Sequence, residues 1–166
     1  MVTGGVNSGK SEYALRIGDS APGDKIFVAT ARPMDESMRR RIENHRRGRA
    51  AHWTTIEEPL DLASVFDGGE SGVYVLDCLT VWTSNLLATT SDEEFRREAA
   101  RLASSVEGCG GTVVVVTNEV GSGIIPANEQ ARTYGERLGM LNQKMASVCD
   151  KVILLVAGLP IFIKGG

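Results

Sequence analysis

The sequence predicts a single α/β domain over residues 1–166, a mainly parallel sheet flanked by helices. Three observations carry this. Compact runs rich in Val and Ile, without polar alternation, recur along the chain, as strands buried on both faces do. Segments with helical spacing of apolar residues separate them. The Gly- and Pro-containing clusters at 21–24, 67–72, 108–111 and 121–126 are each of turn length, so none reads as an interdomain linker.

The first strand, 1–3, leads directly into Gly4-Gly5-Val6-Asn7-Ser8-Gly9-Lys10-Ser11, the pattern G-x-x-x-x-G-K-S, and a helix follows over 11–18. Glycines let the backbone curl so that its N–H groups face a phosphate, and the positive end of the helix adds to the attraction. In such a P-loop, Lys10 reaches the β and γ phosphates and Ser11 ligates Mg²⁺. An accidental glycine-rich turn is the alternative; the strand before the loop and the helix after it weigh against that.

A strand at 25–29 precedes a helix at 34–47, with Asp35 as its N-cap and Glu36 in its first turn. Met34, Met38 and Ile42 form an apolar stripe, and His45 lies at its edge. Arg41 and Arg49 stand four residues to either side of His45 and share its face if the helix persists; Arg46 and Arg47 adjoin it. Guanidinium groups around an imidazole favour its neutral, nucleophilic form and also match phosphate oxygens. A neutral imidazole beside a nucleotide can attack phosphorus to give a phosphoramidate. On these residues alone, a solvated Arg-rich surface is the simpler reading. A nucleic-acid role is disfavoured because no aromatic residues interleave the basic run. His52, before Trp53, reads as structural.

A strand at 52–56 and a helix at 60–66 lead to the strand 73–77, which ends in Asp77. A strand-end acid is the usual partner of a P-loop and holds Mg²⁺ directly or through water; capping of a following helix is the competing role. After a helix at 92–106 comes the strand 112–117, then Asn118-Glu119-Val120-Gly121. Ligands of open parallel sheets sit beyond the carboxyl ends of strands. Asn118 and Glu119 therefore offer an amide and a carboxylate to a hydroxyl or a base, unless the segment is merely a glycine-rich loop with a capping Asn. A helix at 128–146 and strands at 151–157 and 161–164 complete the chain.

The hydrophobic fraction of 42% and charged fraction of 23% are those of a soluble globular protein. The net charge of -3 lacks the basic excess of a non-specific nucleic-acid binder. The longest apolar runs are far too short to span a bilayer, and the opening residues do not read as a signal peptide, so a cytoplasmic location is expected. Cys78, Cys109 and Cys149 are expected as free buried thiols.

Together these residues resemble the bifunctional adenosylcobinamide kinase / adenosylcobinamide-phosphate guanylyltransferase family of cobalamin biosynthesis. The resemblance runs from Val2 through Ser11, Ala29-Thr30, Arg41-Ile42, His45 through Arg49 and Trp53 through Glu57. It continues through Leu76 to Thr80, Trp82, Asn85-Leu86-Leu87, Thr117 through Gly121, Pro126 and Asn142-Gln143. Thr-Asn-Glu-Val-Gly combined with His45-x-x-x-Arg49 is specific to this family, whereas the P-loop alone is not. Many relatives carry Arg-Asp where this chain has Gly135-Glu136, and Arg in place of Met140.

The resemblance implies a RecA-like P-loop fold and a homotrimer. It implies phosphorylation of adenosylcobinamide by ATP or GTP, then transfer of GMP from GTP onto that phosphate, with the guanylyl group carried on His45. It further implies nucleotide contacts at Gly4 through Ser11, at Ala29, Thr30 and Ala31, at Arg46, Arg47, Gly48 and Arg49, and at Glu57 and Asp77, with Mg²⁺ at Ser11 and Asp77. Two alternatives differ in turnover. A small-molecule P-loop kinase without the transferase activity moves only the γ-phosphate; a nucleotide-binding regulatory subunit moves nothing. His45, Arg49, Glu57 and Asp77 together argue against both.

Overall fold

The structure, a computed structural model, describes residues 1–33, 36–69, 71–120, 123 and 125–166, with the side chains of Ser37, Met38, Arg41, Asn44 and His45 outside that description. In chain order the elements are β1 Val2–Gly4, α1 Lys10–Ser20, β2 Lys25–Ala29, α2 Glu36–Arg47, β3 Trp53–Glu57, α3 Leu62–Phe66 and β4 Val73–Asp77. They continue with α4 Leu79–Leu87, α5 Asp92–Gly108, β5 Thr112–Val116, α6 Glu129–Val148, β6 Val152–Val156 and β7 Leu159–Lys164. The sheet order is β3-β2-β4-β5-β1-β6-β7, parallel throughout except that β7 runs antiparallel to β6. This is the α/β architecture expected, and the strand and helix bounds fall within two residues of the expected ones. The expected N-cap Asp35 and the stripe residue Met34 lie outside the described residues.

The lack of polar alternation in the strands has a direct cause. In β4, Val73 and Val75 pack on the α1 side, whereas Tyr74 and Leu76 pack into the core built with α3 to α6. Both faces are covered, so every position along the strand is apolar. On the α1 side the approach is close: a Cβ at Gly18 would stand 2.6 Å from the Trp53 ring. On the other side Trp82, Phe66, Phe95 and Leu138 are almost wholly buried. Burial of side chains of this class contributes about 1.5–3 kcal/mol each.

Helix α4 was not expected from the sequence. Leu79, Trp82, Thr83 and Leu86 are buried and its residues include β-branched Thr and Val, so no long polar stripe marks it as a helix. Its N-cap is Cys78, which makes no side-chain cap bond. Asp77 is therefore not the cap of this helix. Tertiary bonds fix α4 instead: Trp82 Nε1 donates to Leu60 O at 2.7 Å, and Asn85 Nδ2 donates to Thr30 O at 2.8 Å and Pro59 O at 3.0 Å. Its neighbour α5 opens on a local signal, a capping box between Ser91 and Glu94. No helix of the described residues is long and apolar enough to cross a membrane.

Register places chemistry along one edge. Glu57 pairs with Ala29, Ala29 with Asp77, and Asp77 with Val116, so these residues form one row at the carboxyl ends of β3, β2, β4 and β5. Val2 pairs with Val116, which puts the loop after Gly4 directly above that row.

Candidate nucleotide site

The loop between β1 and α1 is shaped by its glycines. Gly4 has φ +146°, and a Cβ there would lie 2.4 Å from Leu155 O, so no larger residue fits. Gly9 holds the N-cap of α1 at φ 89°. Lys10 is buried and its Nζ donates to Gly5 O at 2.5 Å and to Ser8 Oγ at 3.4 Å. Its ammonium is thereby folded into the loop, where phosphate oxygens are bound in sites of this type.

Two cavities meet at the sheet edge. One is lined by Asn7, Lys10, Ser11, Asp77, Thr80 and Asn118, among others of the loop. The other is lined by Phe27, Ala29, Ile42, Arg46, Arg49 and Glu57. Ser11, Asp77, Cys78 and Val81 line both, so the two form one continuous trough. Its first half offers a phosphate loop and two oxygen donors; its second offers two guanidinium groups and a carboxylate.

The bottom of the trough is held by Thr30, which is wholly buried. Its backbone N–H donates to Asp77 O at 3.2 Å, its hydroxyl donates to Cys78 O at 2.9 Å, and Cys78 N donates to that hydroxyl at 2.9 Å. Asp77 is thus fixed through its own backbone and leaves its carboxylate to the cavity. The adjoining Cys78 thiol is pushed up to about 11, first by burial and then by the charge of Asp77.

Arg49 lies with its guanidinium carbon 3.7 Å from the centroid of the Phe27 ring. Burial lowers its affinity for a proton, and the charges of Asp77 and Glu57 act against that. Arginine stays protonated regardless. Its placement corrects the expectation that it shares a helical face with His45. The helix α2 ends at Arg47, and Arg49 sits past it in a turn closed by its N–H to Arg46 O at 3.4 Å.

Of the other residues that the sequence suggested, Val6, Asn7, Ser8 and Gly9 line the phosphate half and Ala31 the other half. Gly5 carries the carbonyl that Lys10 binds. Arg47 and Gly48 are exposed, and Arg47 faces Glu43 at 3.7 Å instead of the trough. His45 lies in α2, and its side chain is outside the described residues. His52 accepts a structural role: its Nε2 lies 2.9 Å from Asp19 Oδ1, which also accepts from Trp53 Nε1 at 3.0 Å. The three cysteines are free but only partly buried, not fully buried as expected. Phe27, Thr55, Cys78 and Val81 were not anticipated as lining residues. For Phe27 a signal existed, since it stands two residues before Ala29 on the same face of β2.

A parallel sheet in this order, a phosphate loop after β1 and a strand-end acid beside it define a nucleotide-using P-loop enzyme of RecA-like architecture. The chain belongs to the cobinamide kinase / cobinamide phosphate guanyltransferase family, whose model it matches over residues 1–163. It is 39% identical to the bifunctional adenosylcobalamin biosynthesis protein CobP of Pseudomonas aeruginosa over 99% of this chain and 96% of that one. It is 36% identical to the bifunctional adenosylcobalamin biosynthesis protein CobU of Escherichia coli over 99% of this chain and 98% of that one. Among solved structures, a Pyrococcus horikoshii protein superposes with TM-score 0.57 at 8% identity, covering 98% of this chain and 84% of its own. An ATPase of a bacterial type III secretion system superposes with TM-score 0.54 at 14% identity, covering 93% of this chain and 50% of its own. Those two likenesses concern the fold alone.

Proposed function

We propose that this chain phosphorylates the hydroxyl of adenosylcobinamide with ATP or GTP, then transfers GMP from GTP to the new phosphate, giving adenosylcobinamide-GDP and pyrophosphate. The observation that carries this is the trough itself. It joins a phosphate loop to a cluster of Arg46, Arg49 and Glu57, enough for a nucleoside triphosphate to be gripped at both ends. Arg46 and Arg49 supply fixed donors to phosphate or base, and Glu57 supplies an acceptor. The matched family and its relatives support the two reactions.

In this reading His45 attacks the α-phosphorus of GTP and carries the guanylyl group, which the phosphate of the acceptor then takes. Two in-line displacements give net retention at phosphorus. The phosphoryl transfer needs no covalent intermediate, only positioning and neutralised charge. Ser11 and Asp77 face the same half of the trough and are hard oxygen donors, which suits Mg²⁺ shared with phosphates. A bound Mg²⁺ would neutralise charge on those phosphates.

The assembly we infer is a homotrimer in the cytoplasm. An apolar, exposed edge supports association: in β7, Leu159 is 70% and Ile163 62% exposed. Sedimentation of the purified chain at micromolar concentration measures this, and a monomer would refute it.

The substrate reading is tested by supplying adenosylcobinamide with γ-labelled GTP and, separately, α-labelled GTP. Both labels are expected in one corrinoid product, with pyrophosphate released. The γ-label alone in the product indicates a plain kinase; GTP binding with neither label transferred indicates a regulatory subunit.

A further inference from the structure

The segment after β5 sets an acid, Glu119, beside the start of the phosphate loop. Glu119 is exposed, yet it is tied from several directions. Its backbone N–H donates to Gly4 O at 3.2 Å, at the start of the loop. Thr3 Oγ1 donates to its Oε1 at 2.8 Å, and Asn142 Nδ2 reaches the same oxygen at 3.4 Å. Asn142 is itself buried on α6; it also donates to Asn118 O at 3.0 Å and accepts from Thr117 Oγ1 at 2.7 Å. The polar groups of Thr3, Thr117 and Asn142 are thus buried at the sheet edge, where each must find a partner. Their bonds all serve to fix residues 117–119. Among the described residues Oε2 of Glu119 carries no such bond. The neighbouring Asn118 lines the phosphate half of the trough.

We propose that Glu119 is a catalytic residue of the phosphoryl transfer and that Thr3 and Asn142 are its positioning residues. This rests on the substrate reading above. The acceptor hydroxyl oxygen forms a bond to the γ-phosphorus. The bond from that phosphorus to the β,γ-bridging oxygen breaks, and its electron pair leaves with the nucleoside diphosphate. The hydroxyl proton passes to Oε2 of Glu119. Asp77 is already assigned to the metal, and Glu12, the other acid lining that half, faces Arg16 at 3.9 Å.

The second reaction sets the contrast. Its acceptor is a phosphate monoester, whose second ionisation falls near pH 6, so near neutral pH it is largely without the proton that a base would remove. Glu119 is therefore required in the first reaction and dispensable in the second.

The test uses the full chain with Glu119→Gln, which preserves shape and an oxygen for Thr3. Phosphorylation of adenosylcobinamide is measured across pH, and GMP transfer to the ready-made phosphate is measured in the same preparation. The kinase kcat is expected to fall by about 100-fold or more, the usual scale for a lost base, with the KM for nucleotide little changed and the acid limb of the pH profile removed. GMP transfer should stay near the wild-type rate and serves as the folding control. If Glu119→Gln loses both reactions, Glu119→Asp decides: recovered GMP transfer with partial kinase activity upholds the role, and loss of both overturns it. A kinase rate near wild type in Glu119→Gln also overturns it. A wild-type chain that makes no phosphorylated corrinoid refutes the substrate reading, and this inference with it.

Discussion

The guanidinium carbon of Arg49 lies 3.7 Å from the centroid of the Phe27 ring, and its buried Nη1 has no hydrogen-bond partner among the described residues. An unmet buried donor costs about 1–3 kcal/mol, and its satisfaction by a charged acceptor contributes about 1.5–3 kcal/mol. The arrangement is thus unfavourable for the folded chain alone and favourable for a chain holding an anionic ligand.

Arg49→Met is accordingly expected to keep or raise the melting temperature and to weaken GTP binding by about tenfold or more. Arg49→Lys should also bind weakly, because an ammonium lacks the planar fork. Thermal denaturation with and without GTP reads both effects. Destabilisation by Arg49→Met with unchanged GTP affinity would show that the arginine is a structural prop.

Thr30 offers a second, opposite case. Its hydroxyl both donates to Cys78 O and accepts from Cys78 N, and the residue is wholly buried. Thr30→Val removes both bonds and leaves a buried N–H unmet, at about 1–3 kcal/mol. A fall of about 2–12 °C in melting temperature follows for a domain of this size. Because the same hydroxyl also donates to Asp77 O at 3.3 Å, its loss loosens Asp77, and the Mg²⁺ concentration giving half-maximal rate should rise. A variant with normal stability and normal Mg²⁺ response removes Thr30 from the site.

Gly135 lies inside α6, where glycine costs roughly 1 kcal/mol relative to Ala. A Cβ there meets nothing within 4 Å. Gly135→Ala should stabilise by about 0.5–1 kcal/mol and leave both reactions unchanged, since the residue lines a groove with Val120 and Tyr134 and not the trough. Urea titration measures it. Destabilisation would mean that this face of α6 is packed against another subunit.

The Cys78 thiol gives a pH dependence. Its folded value, about 11, stands above the ordinary 9.0, so the folded state holds the proton more tightly. Its contribution is complete below pH 9 and is lost as pH rises through about 11. Unfolding free energy should therefore fall across that window, and less so in Cys78→Ala. Equal slopes in the two proteins would contradict this.

What could be read in advance follows from where the signal lay. The strands announce themselves because both faces of the sheet are buried, and the P-loop because its function constrains consecutive residues. Helix α4 stayed hidden: its buried residues, Trp82 and Leu86 among them, sit in a short segment with no capping side chain. The beginning of β7 was obscured by Pro160, which pairs with Leu155 after a turn at Ala157 and Gly158, both at positive φ. The row of Glu57, Ala29 and Asp77 depends on register, and the Thr30 bonds to Cys78 join residues 48 apart in sequence. Neither is visible to local pattern. Arg49 shares the face of His45 only if the helix persists to it, and α2 ends at Arg47, two residues before it.

The central claim is that GMP passes through His45. Incubation with α-labelled GTP is expected to label the wild-type chain covalently, with the label stable in base and released by acid, as a phosphoramidate is. His45→Ala should show no α-label while still moving γ-label to adenosylcobinamide. Absence of the adduct from the wild type, or its equal formation in His45→Ala, would contradict the account.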